Sequence, residues 1–392
     1  MSNLIKQLDK NNHFFNNKKN DVINLNNLTL NKILNKSDIN YNIYFSNSQF
    51  KYLKNEYVNE LSNNKKLNKK ITINTEIKNI DDLLDIIKNH PINNDYTYNI
   101  NLKALHNIKS PLLKLKNMTG LENIKTHIID QILFYLQDLH INKKTNENND
   151  FLHTVLYGKP GTGKTEIAMI IGEIFCNLGI LKNNKFKKVT RKDLVGGYLG
   201  QTAILTGEVI KECLGGVLFI DEAYSLGNKE KRDSYSKECI DTLCEALSFH
   251  KNELMVIIAG YKEDLNECFF SHNLGLESRF PWNYEIESYN YKELADIFMN
   301  KVDEIGWTID HELNLDFFKT NYDSFNNYGR DMEILLAKIK IAHSKRVFNL
   351  SHENKTKISL DDIEKGFSVY LENNRNNKKD TIDKNIINSI YT

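Results

Sequence analysis

The sequence predicts an α/β fold, in which a parallel sheet lies between helices and a small helical domain follows it. Three short apolar runs alternate with amphipathic helical segments between residues 112 and 284, namely His153 to Tyr157, Val217 to Ile220 and Leu254 to Ala259. Runs that are apolar throughout are typical of strands buried on both faces, as in a parallel sheet. From residue 285 to 372 the apolar residues are instead spaced three and four apart, which indicates helices.

Composition and charge narrow the class of protein. With 392 residues, 40% of them hydrophobic, the chain has room for two or three domains with packed cores. Its net charge is +1, which argues against a polyanion bound by bulk charge. The five cysteines form no CxxC pair, as expected in a reducing compartment. Without a signal-peptide pattern or an apolar stretch of membrane-spanning length, we expect a soluble intracellular protein, cytoplasmic and with no membrane partner.

The predicted organisation has four parts. Residues 1–110 are dominated by Asn and Lys and bury little, so we expect a partly ordered N-terminal region. A genome rich in A and T would produce the same composition without any functional cause, and this alternative stays open. Residues 111–284 form the core with the sheet, residues 285–372 form the helical domain, and residues 373–392 form a polar tail.

A phosphate-binding loop follows the first apolar run. It fits the pattern G-x-x-x-x-G-K-[ST] at every fixed position and precedes the helical pattern of Ile167 to Phe175. Glycines let such a loop turn its N–H groups toward phosphates, and the next helix points its positive end at them. We expect Lys164 to reach the β- and γ-phosphates of ATP and Thr165 to bind Mg²⁺. The residues expected to contact the nucleotide here are Gly158, Lys159, Pro160, Gly161, Thr162, Gly163, Lys164 and Thr165.

Two acidic residues end the second apolar run. Asp221 and Glu222 follow Val217 to Ile220 directly, and ligand sites in open α/β sheets lie at the carboxyl ends of strands. We therefore expect Asp221 to contact the nucleotide and to hold Mg²⁺ together with Thr165. Glu222 is expected to orient and polarise the water that attacks the γ-phosphate. A surface turn would also explain an Asp-Glu pair, but less well after a complete phosphate-binding loop.

These residues together resemble the AAA+ ATPases, a class of P-loop NTPases. The strings DLVGGYLGQT, from Asp193 to Thr202, and GGVLFIDEAYSL resemble the branch that contains red-type Rubisco activases and the sporulation stage V protein K group. The resemblance covers about Leu112 to about Phe348. It implies an AAA+ core at residues 111–284 with an α-helical lid at residues 285–372. It also implies ATP and Mg²⁺ as cofactors, hydrolysis of ATP to ADP and phosphate, and a ring of identical subunits, expected to be a hexamer.

The resemblance assigns roles to two further segments. Met118 to Glu122 resembles the segment whose backbone frames adenine, with Gly120 inside it, although a helix start would look the same. His272 to Phe280 resembles the segment that ends in the arginine finger, with Arg279 in the finger position. Such an arginine contacts the ATP of the neighbouring subunit, so the resemblance implies an active site shared between subunits.

Two sensor positions also follow from the resemblance. Gly329-Arg330-Asp331 heads a helix and resembles the motif whose arginine senses the γ-phosphate from the lid, which makes Arg330 the candidate. The alternative is an arginine exposed to water at a helix start. After the third apolar run this chain has Gly260-Tyr261-Lys262, where other AAA+ proteins commonly have Asn or Thr. Tyr261 is positioned to replace that first sensor, whose identity the sequence leaves open.

A glycine-flanked aromatic residue points to the substrate. Tyr198, Leu199 and Gly200 fit the aromatic, apolar, glycine pattern of the central-pore loop in AAA+ protein remodellers. An aromatic ring on such a loop can grip an extended polypeptide without reading its sequence. An ordinary glycine-rich turn is the alternative. The charged segment from Asn228 to Ser236 is a candidate second pore loop.

Three functions remain open at this level. The leading hypothesis is a chaperone-like ring motor that uses ATP to remodel or thread a client protein, whose identity cannot be read from the sequence. The second is a nucleic-acid motor or clamp loader, which the pore aromatic and the balanced charge disfavour. The third is a nucleotide-gated scaffold without turnover, which Glu222 and Arg279 disfavour.

Overall fold

The computed structural model describes residues 69–373, except residues 94, 142–143, 145–149, 199, 231, 311–314 and 350–354. Most of the predicted N-terminal region and almost all of the predicted polar tail lie outside these residues. Contacts divide the chain into two units after Leu67, so the described residues all belong to the second unit.

The elements of the described residues are as follows. The strands are β1 (Lys69–Ile71), β2 (Tyr96–Tyr98), β3 (Thr154–Tyr157), β4 (Phe186–Val189), β5 (Val217–Ile220), β6 (Met255–Gly260), β7 (Trp282–Glu285), β8 (Thr308–Ile309) and β9 (Lys357–Ile358). The helices are α1 (Ile80–Asn89), α2 (Leu102–Asn107), α3 (Lys109–Asn117), α4 (Glu122–Leu136), α5 (Lys164–Asn177), α6 (Arg191–Leu194), α7 (Gln201–Cys213), α8 (Ser234–Phe249), α9 (Lys262–Cys268), α10 (Leu274–Glu277), α11 (Tyr291–Glu304), α12 (Leu315–Thr320), α13 (Gly329–Arg346) and α14 (residues 360–373). Short 3-10 turns lie at Ala223–Leu226, Phe270–His272 and Tyr322–Ser324.

The central sheet has five parallel strands in the order β4-β5-β6-β3-β7. The three predicted apolar runs form β3, β5 and β6, which are its inner strands. Side chains that alternate along these strands enter two different buried clusters, one on each face. Val155 and Leu218 pack on the face covered by α7 and α8, whereas Leu156 and Phe219 pack on the face covered by α4 and α5. The predicted sheet between helices is therefore confirmed.

The helices before β3 overlap the predicted boundary between the N-terminal region and the core. Leu83 of α1, Leu105 of α2 and Leu112 of α3 are almost fully buried, in the same cluster as α4 and α5. Helix α3 packs directly on α5. The predicted boundary at residue 110 falls inside α3, and the buried core already begins at Ile80 of α1. Composition concealed this because the lysines and asparagines of α2 and α3 lie on exposed positions, while four of the five leucines in these helices are buried.

The C-terminal part is helical, as predicted. In α13 the four residues spaced three and four apart are all buried, namely Met332, Leu335, Leu336 and Ile339. Ser359 and Asp362 cap α14 reciprocally: the Ser359 hydroxyl accepts from the Asp362 N–H at 3.3 Å, and the Asp362 carboxylate accepts from the Ser359 N–H at 3.0 Å. The predicted boundary at residue 284 lies one residue before the end of β7, and the first lid helix, α11, begins at Tyr291.

Neither a membrane-spanning helix nor a disulfide occurs among the described residues. No helix among the described residues combines the length and apolarity needed to cross a bilayer. All five cysteines are free thiols.

Candidate active site

The three predicted strands bring their C-terminal residues to one edge of the sheet. The phosphate-binding loop follows β3, Tyr261 follows β6, and Asp221 and Glu222 follow β5. Because β6 lies between β3 and β5, Tyr261 sits between the loop and the acidic pair. A cleft of about 650 Å³ opens there. Its lining includes Gly158, Pro160, Gly161, Gly163, Lys164, Thr165, Asp221, Glu222, Tyr261 and Arg330.

The loop has the backbone geometry that its glycines allow. Gly161 and Gly163 have φ angles of 73° and 85°, in the left-handed region that favours glycine. The Lys164 ammonium donates to the carbonyl oxygens of Gly158 and Lys159, both at 2.8 Å. Burial lowers the pKa of Lys164, while the carboxylates of Asp221 and Glu222 act in the opposite direction. The lysine is thus held across the mouth of the loop beside the acidic pair.

Two residues of the loop have structural contacts instead of lining the cleft. Thr162 is buried, and its hydroxyl donates to the carbonyl oxygen of Lys159 at 2.8 Å, which closes the turn. The Lys159 ammonium donates to the Tyr328 hydroxyl at 3.4 Å. Their side chains do not line the cleft, and their contacts with the nucleotide stay predictions.

Asp221 and Thr165 converge on one positive charge. The ammonium of Lys188, on β4, lies 2.6 Å from Asp221 Oδ2 and donates to Thr165 Oγ1 at 3.2 Å. A carboxylate and a hydroxyl that share one cation suit Mg²⁺, which in nucleotide sites takes further ligands from phosphate and water. The described residues contain no group of three or more His, Cys, Asp or Glu that could hold a metal by itself. The residues present fit an ion held by Thr165 and Asp221 and completed by phosphate.

Glu222 is held in a strained backbone conformation. Its φ of 52° and ψ of 45° place it in the left-handed region, which costs a residue with a side chain on the order of 1 kcal/mol or more. Its carbonyl oxygen accepts from the Ser225 N–H at 2.8 Å, at the start of the 3-10 turn. The Tyr224 and Tyr261 rings pack at 5.9 Å and line the cleft beside Glu222. Strain of this kind, in a cleft, marks a candidate functional residue.

The lid touches the phosphate-binding loop through backbone. The Gly329 N–H donates to the carbonyl oxygen of Gly161 at 3.0 Å, and a Cβ on Gly161 would clash with the carbonyl oxygen of Asn327. Arg330 follows Gly329 at the start of α13 and lines the cleft, where its charge helps to lower the pKa of Lys164. Only glycine permits this approach, so the lid arginine is positioned by the loop itself.

The far end of the cleft is built from the segment before α4 and from α11. Met118 and Thr119 line it, and the Thr119 hydroxyl accepts from the Asn300 amide at 3.3 Å. Gly120, the predicted member of this segment, does not line the cleft. Its φ of 64° turns the chain into α4, and a Cβ there would meet the Glu293 carboxylate. The side chains of this segment that face the cleft are therefore those of Met118 and Thr119, and its role in framing adenine stays a prediction.

Arg279 lies away from this cleft. Its Nε donates to the Ser248 hydroxyl at 2.7 Å and its Nη1 donates to the Gly275 carbonyl oxygen. Within the described part of the chain Nη2 has no acceptor. The arginine lines a second pocket with Asp241, Cys244, Glu245, Ser248, Phe249 and Asn273. It therefore does not contact the phosphate-binding loop of its own chain.

Tyr198 stands out from the surface on a loop that is fixed at its base. Its side chain is 74% exposed. The Gly196 N–H donates to the Thr202 hydroxyl at 3.1 Å, and the Thr206 hydroxyl donates to the Leu194 carbonyl oxygen at 2.9 Å. Gly200, with φ of 81°, directly precedes α7. Leu199, the remaining predicted residue of this loop, lies outside the described residues.

The sequence did not predict several residues at or near the site. Lys188 contacts both predicted magnesium ligands, Tyr224 lines the cleft, and the Tyr289 hydroxyl donates to the Thr162 carbonyl oxygen at 3.1 Å. Outside the cleft lining, Arg191 bonds to the turn that follows Glu222 and to the start of α8. None of these residues belongs to a motif with a fixed spacing, so a single sequence does not single them out. The one available signal was that each lies close to a predicted strand or motif.

Comparisons with known proteins agree with this geometry. Residues 154–280 match the family model described as "ATPase family associated with various cellular activities (AAA)". A cfxQ-like protein of Acanthamoeba polyphaga mimivirus is 42% identical over 282 residues, which cover 71% of this chain and 68% of that protein. A CfxQ homolog of Galdieria sulphuraria is 33% identical over 282 residues, covering 68% and 92%. Stage V sporulation protein K of Bacillus subtilis is 35% identical over 216 residues, covering 54% and 65%.

Proposed function

Because this chain belongs to the CfxQ-like family of AAA+ ATPases, which bind and hydrolyse ATP, we propose that it forms a ring that uses ATP to remodel client polypeptides. The ATPase activity follows from the family. We propose in addition the ring, the roles of individual residues and the polypeptide substrate.

Within one subunit, the cleft binds the nucleotide. Lys164, together with the N-terminus of α5, contacts the β- and γ-phosphates, and Arg330 approaches the γ-phosphate from the lid. Thr165 and Asp221 hold Mg²⁺ by their oxygens, as their shared contact with the Lys188 ammonium supports. When bound, Mg²⁺ neutralises charge on the β- and γ-phosphates. Because Gly329 bonds to Gly161, a change in the loop is passed directly to Arg330.

Glu222 orients the attacking water. It lines the cleft beyond Asp221, and Tyr261 and Tyr224 lie beside it. The carboxylate accepts a hydrogen bond from the water and polarises it toward the γ-phosphate. Tyr261 stands at the position of the first sensor, next to both the loop and Glu222.

Arg279 serves the cleft of the neighbouring subunit. Its Nε and Nη1 are bonded to Ser248 and to the Gly275 carbonyl oxygen, so the guanidinium is held firmly while Nη2 stays available. Phe249 beside it is 82% exposed, which is unusual for a large apolar side chain and suits a surface covered on assembly. We expect a hexamer, in which head-to-tail contacts bring Arg279 of one subunit to the cleft of the next.

The proposal that the substrate is a polypeptide is based on one observation, the exposed ring of Tyr198. An exposed tyrosine on a loop with glycines at Gly196, Gly197 and Gly200 gives an apolar face that grips any extended chain. The base of the loop is hydrogen-bonded to α7, so movement of α7 moves the ring. Tyr198, with Leu199 and Gly200, is thus proposed as a pore loop.

The test is ATP turnover in the presence of casein, an unstructured polypeptide. Casein should stimulate the parent protein, and Tyr198→Ala should keep basal turnover within about twofold while losing the stimulation. Phe348→Ala is the matched control, because Phe348 is 80% exposed but lies after α13, in the lid. Undiminished stimulation of Tyr198→Ala would remove the grip. Stimulation by single-stranded DNA alone, with a steep salt dependence, would instead support a nucleic-acid motor.

A further inference from the structure

Arg191 binds three acceptors that are distant in sequence. Its Nη1 donates to the Ser225 carbonyl oxygen and to the Ser236 hydroxyl, both at 2.8 Å, and its Nη2 donates to Asp233 Oδ2 at 2.6 Å. The acceptors lie 34, 45 and 42 residues further along the chain. A planar guanidinium holds its donors in a rigid fork, so it fixes the positions of several acceptors more closely than the rotatable ammonium of a lysine does.

The first acceptor connects Arg191 to the acidic pair. Ser225 belongs to the 3-10 turn that follows Glu222 directly, and its N–H donates to the Glu222 carbonyl oxygen at 2.8 Å. The same residue therefore bonds to Glu222 through its N–H and to Arg191 through its carbonyl oxygen. Because Glu222 has a strained backbone, a change at this residue is expected to shift the turn as well.

The other two acceptors connect Arg191 to the start of α8. Asp233 caps this helix, accepting from the N–H groups of Tyr235 and Ser236, and also accepts from the Ser236 hydroxyl at 2.6 Å. Although burial opposes it, hydrogen bonds from Ser236 and Arg191 lower the pKa of Asp233 to about 2. The carboxylate is thus ionised at neutral pH. The predicted charged segment runs from Asn228 to Ser236, but α8 begins at Ser234 with Asp233 as its cap, so only residues 228–233 remain as the candidate second pore loop.

The backbone of Arg191 leads to the Tyr198 loop. Arg191 begins α6, whose start is fixed by a capping box between Thr190 and Asp193. Leu194 at the end of α6 is bonded to Thr206 of α7, and the exposed loop begins two residues later. One side chain thus joins the acidic pair, the base of the Tyr198 loop and the end of the segment at residues 228–233.

We propose that Arg191 is a positioning residue that transmits the nucleotide state of the acidic pair to both loops. This role rests on the proposed function, since it treats residues 196–200 and 228–233 as loops of one pore. When Glu222 and the following turn respond to bound ATP, Arg191 passes the change to Asp233 and to α6. Without the guanidinium, ATP is bound and hydrolysed while the loops no longer respond.

The test measures the loops directly and needs no client. In a Glu222→Gln background, hydrogen exchange is followed with and without ATP for peptides covering the phosphate-binding loop, residues 196–200 and residues 228–233. We expect ATP to change exchange in both loops by about tenfold, and Arg191→Lys to abolish that change while the phosphate-binding loop is still protected. Lys192→Gln, at the exposed next residue, should behave as the parent does.

A second variant guards against a simple loss of folding. Asp233→Asn keeps a good helix cap but removes the charge that Arg191 binds, so it should also reduce the response of residues 228–233. An unchanged response in both variants overturns the proposal, and so does loss of ATP binding in both, which would give Arg191 a structural role. Failure of ATP to protect the phosphate-binding loop in the parent would instead overturn the assigned nucleotide site.

Discussion

Two pockets of the described residues carry different chemical groups. The nucleotide cleft contains a phosphate-binding loop, an acidic pair and a lid arginine, all fixed by contacts within the chain. The pocket at Arg279 contains a firmly held guanidinium beside Asp241, Glu245 and the exposed Phe249, without a phosphate-binding loop. This difference supports the proposal that Arg279 serves a group outside its own subunit. A head-to-tail assembly would bring the two pockets together.

Mutations that inactivate one pocket at a time test whether the two pockets form one site. Arg279→Ala should lower kcat by about 10³ or more, because the charge that stabilises the transferred phosphate is lost, and ATP binding should be largely kept. Lys164→Ala should lose ATP binding. Mixing the two inactive variants should restore part of the turnover, since each supplies what the other lacks across an interface.

The mixture has clear controls. Each variant mixed with itself must stay inactive, and mass spectrometry must show that assembled particles contain both variants. Absence of any recovery in such particles would contradict a site shared between subunits.

A second change acts only on the cleft. Glu222→Gln should lower kcat by about 10² to 10⁴ while ATP still binds, because the amide keeps the shape of the side chain but cannot polarise water. ATP binding is measured by fluorescence and turnover by phosphate release. Glu263→Gln, at an exposed glutamate in the first turn of α9, serves as the control. If Glu222→Gln lost ATP binding as completely as Lys164→Ala does, the roles assigned to the two residues would be wrong.

The inner strands and the edge strands explain what the sequence could predict. Strands β3, β5 and β6 are buried on both faces, so each appears as a continuous apolar run, and the motifs follow them within a few residues. The edge strands β4 and β7 read Phe-Lys-Lys-Val and Trp-Asn-Tyr-Glu, with polar residues at alternate or central positions. Neither gives a continuous apolar run, and Lys188 lies on one of them.

Long-range contacts explain what the sequence could not predict. The acceptors of Arg191 are more than 30 residues away from it in the sequence. The order of the strands brings these residues together, and local spacing in the sequence does not show it. The approach of Gly329 to Gly161 is likewise a consequence of lid packing. The pattern of the phosphate-binding loop, by contrast, lies in eight consecutive residues, so it could be read directly.

A buried histidine connects the start of β3 to α8 and β6. His153 precedes β3, which leads to the phosphate-binding loop, and its Nε2 donates at 3.1 Å to the carbonyl oxygen of Leu247, the residue before Ser248 in α8. Its Nδ1 accepts from the Val256 N–H at 3.1 Å, so the ring is neutral. Burial lowers the pKa of His153 to about 4; the hydrogen bond to Leu247 opposes this shift, and the charge of Arg279 adds to it.

The smallest predicted effect is a pH dependence of the free energy of unfolding, which follows from this buried histidine. The unfolded chain takes up a proton near pH 6.5, whereas folded His153 does so only near pH 4, so the unfolded state binds more protons between these values. The stabilisation is complete above pH 6.5 and is lost as the pH falls toward 4, by about 3 kcal/mol in all. Urea unfolding from pH 7.5 to 4.5 should show this slope.

His153→Gln should be less stable at neutral pH by about 1 to 3 kcal/mol. Its free energy of unfolding should change less with pH than that of the parent, because the amide does not titrate. His127→Gln, at an exposed ring, should keep the parent slope, and equal slopes for the parent and His153→Gln would show that the buried ring is not the titrating group.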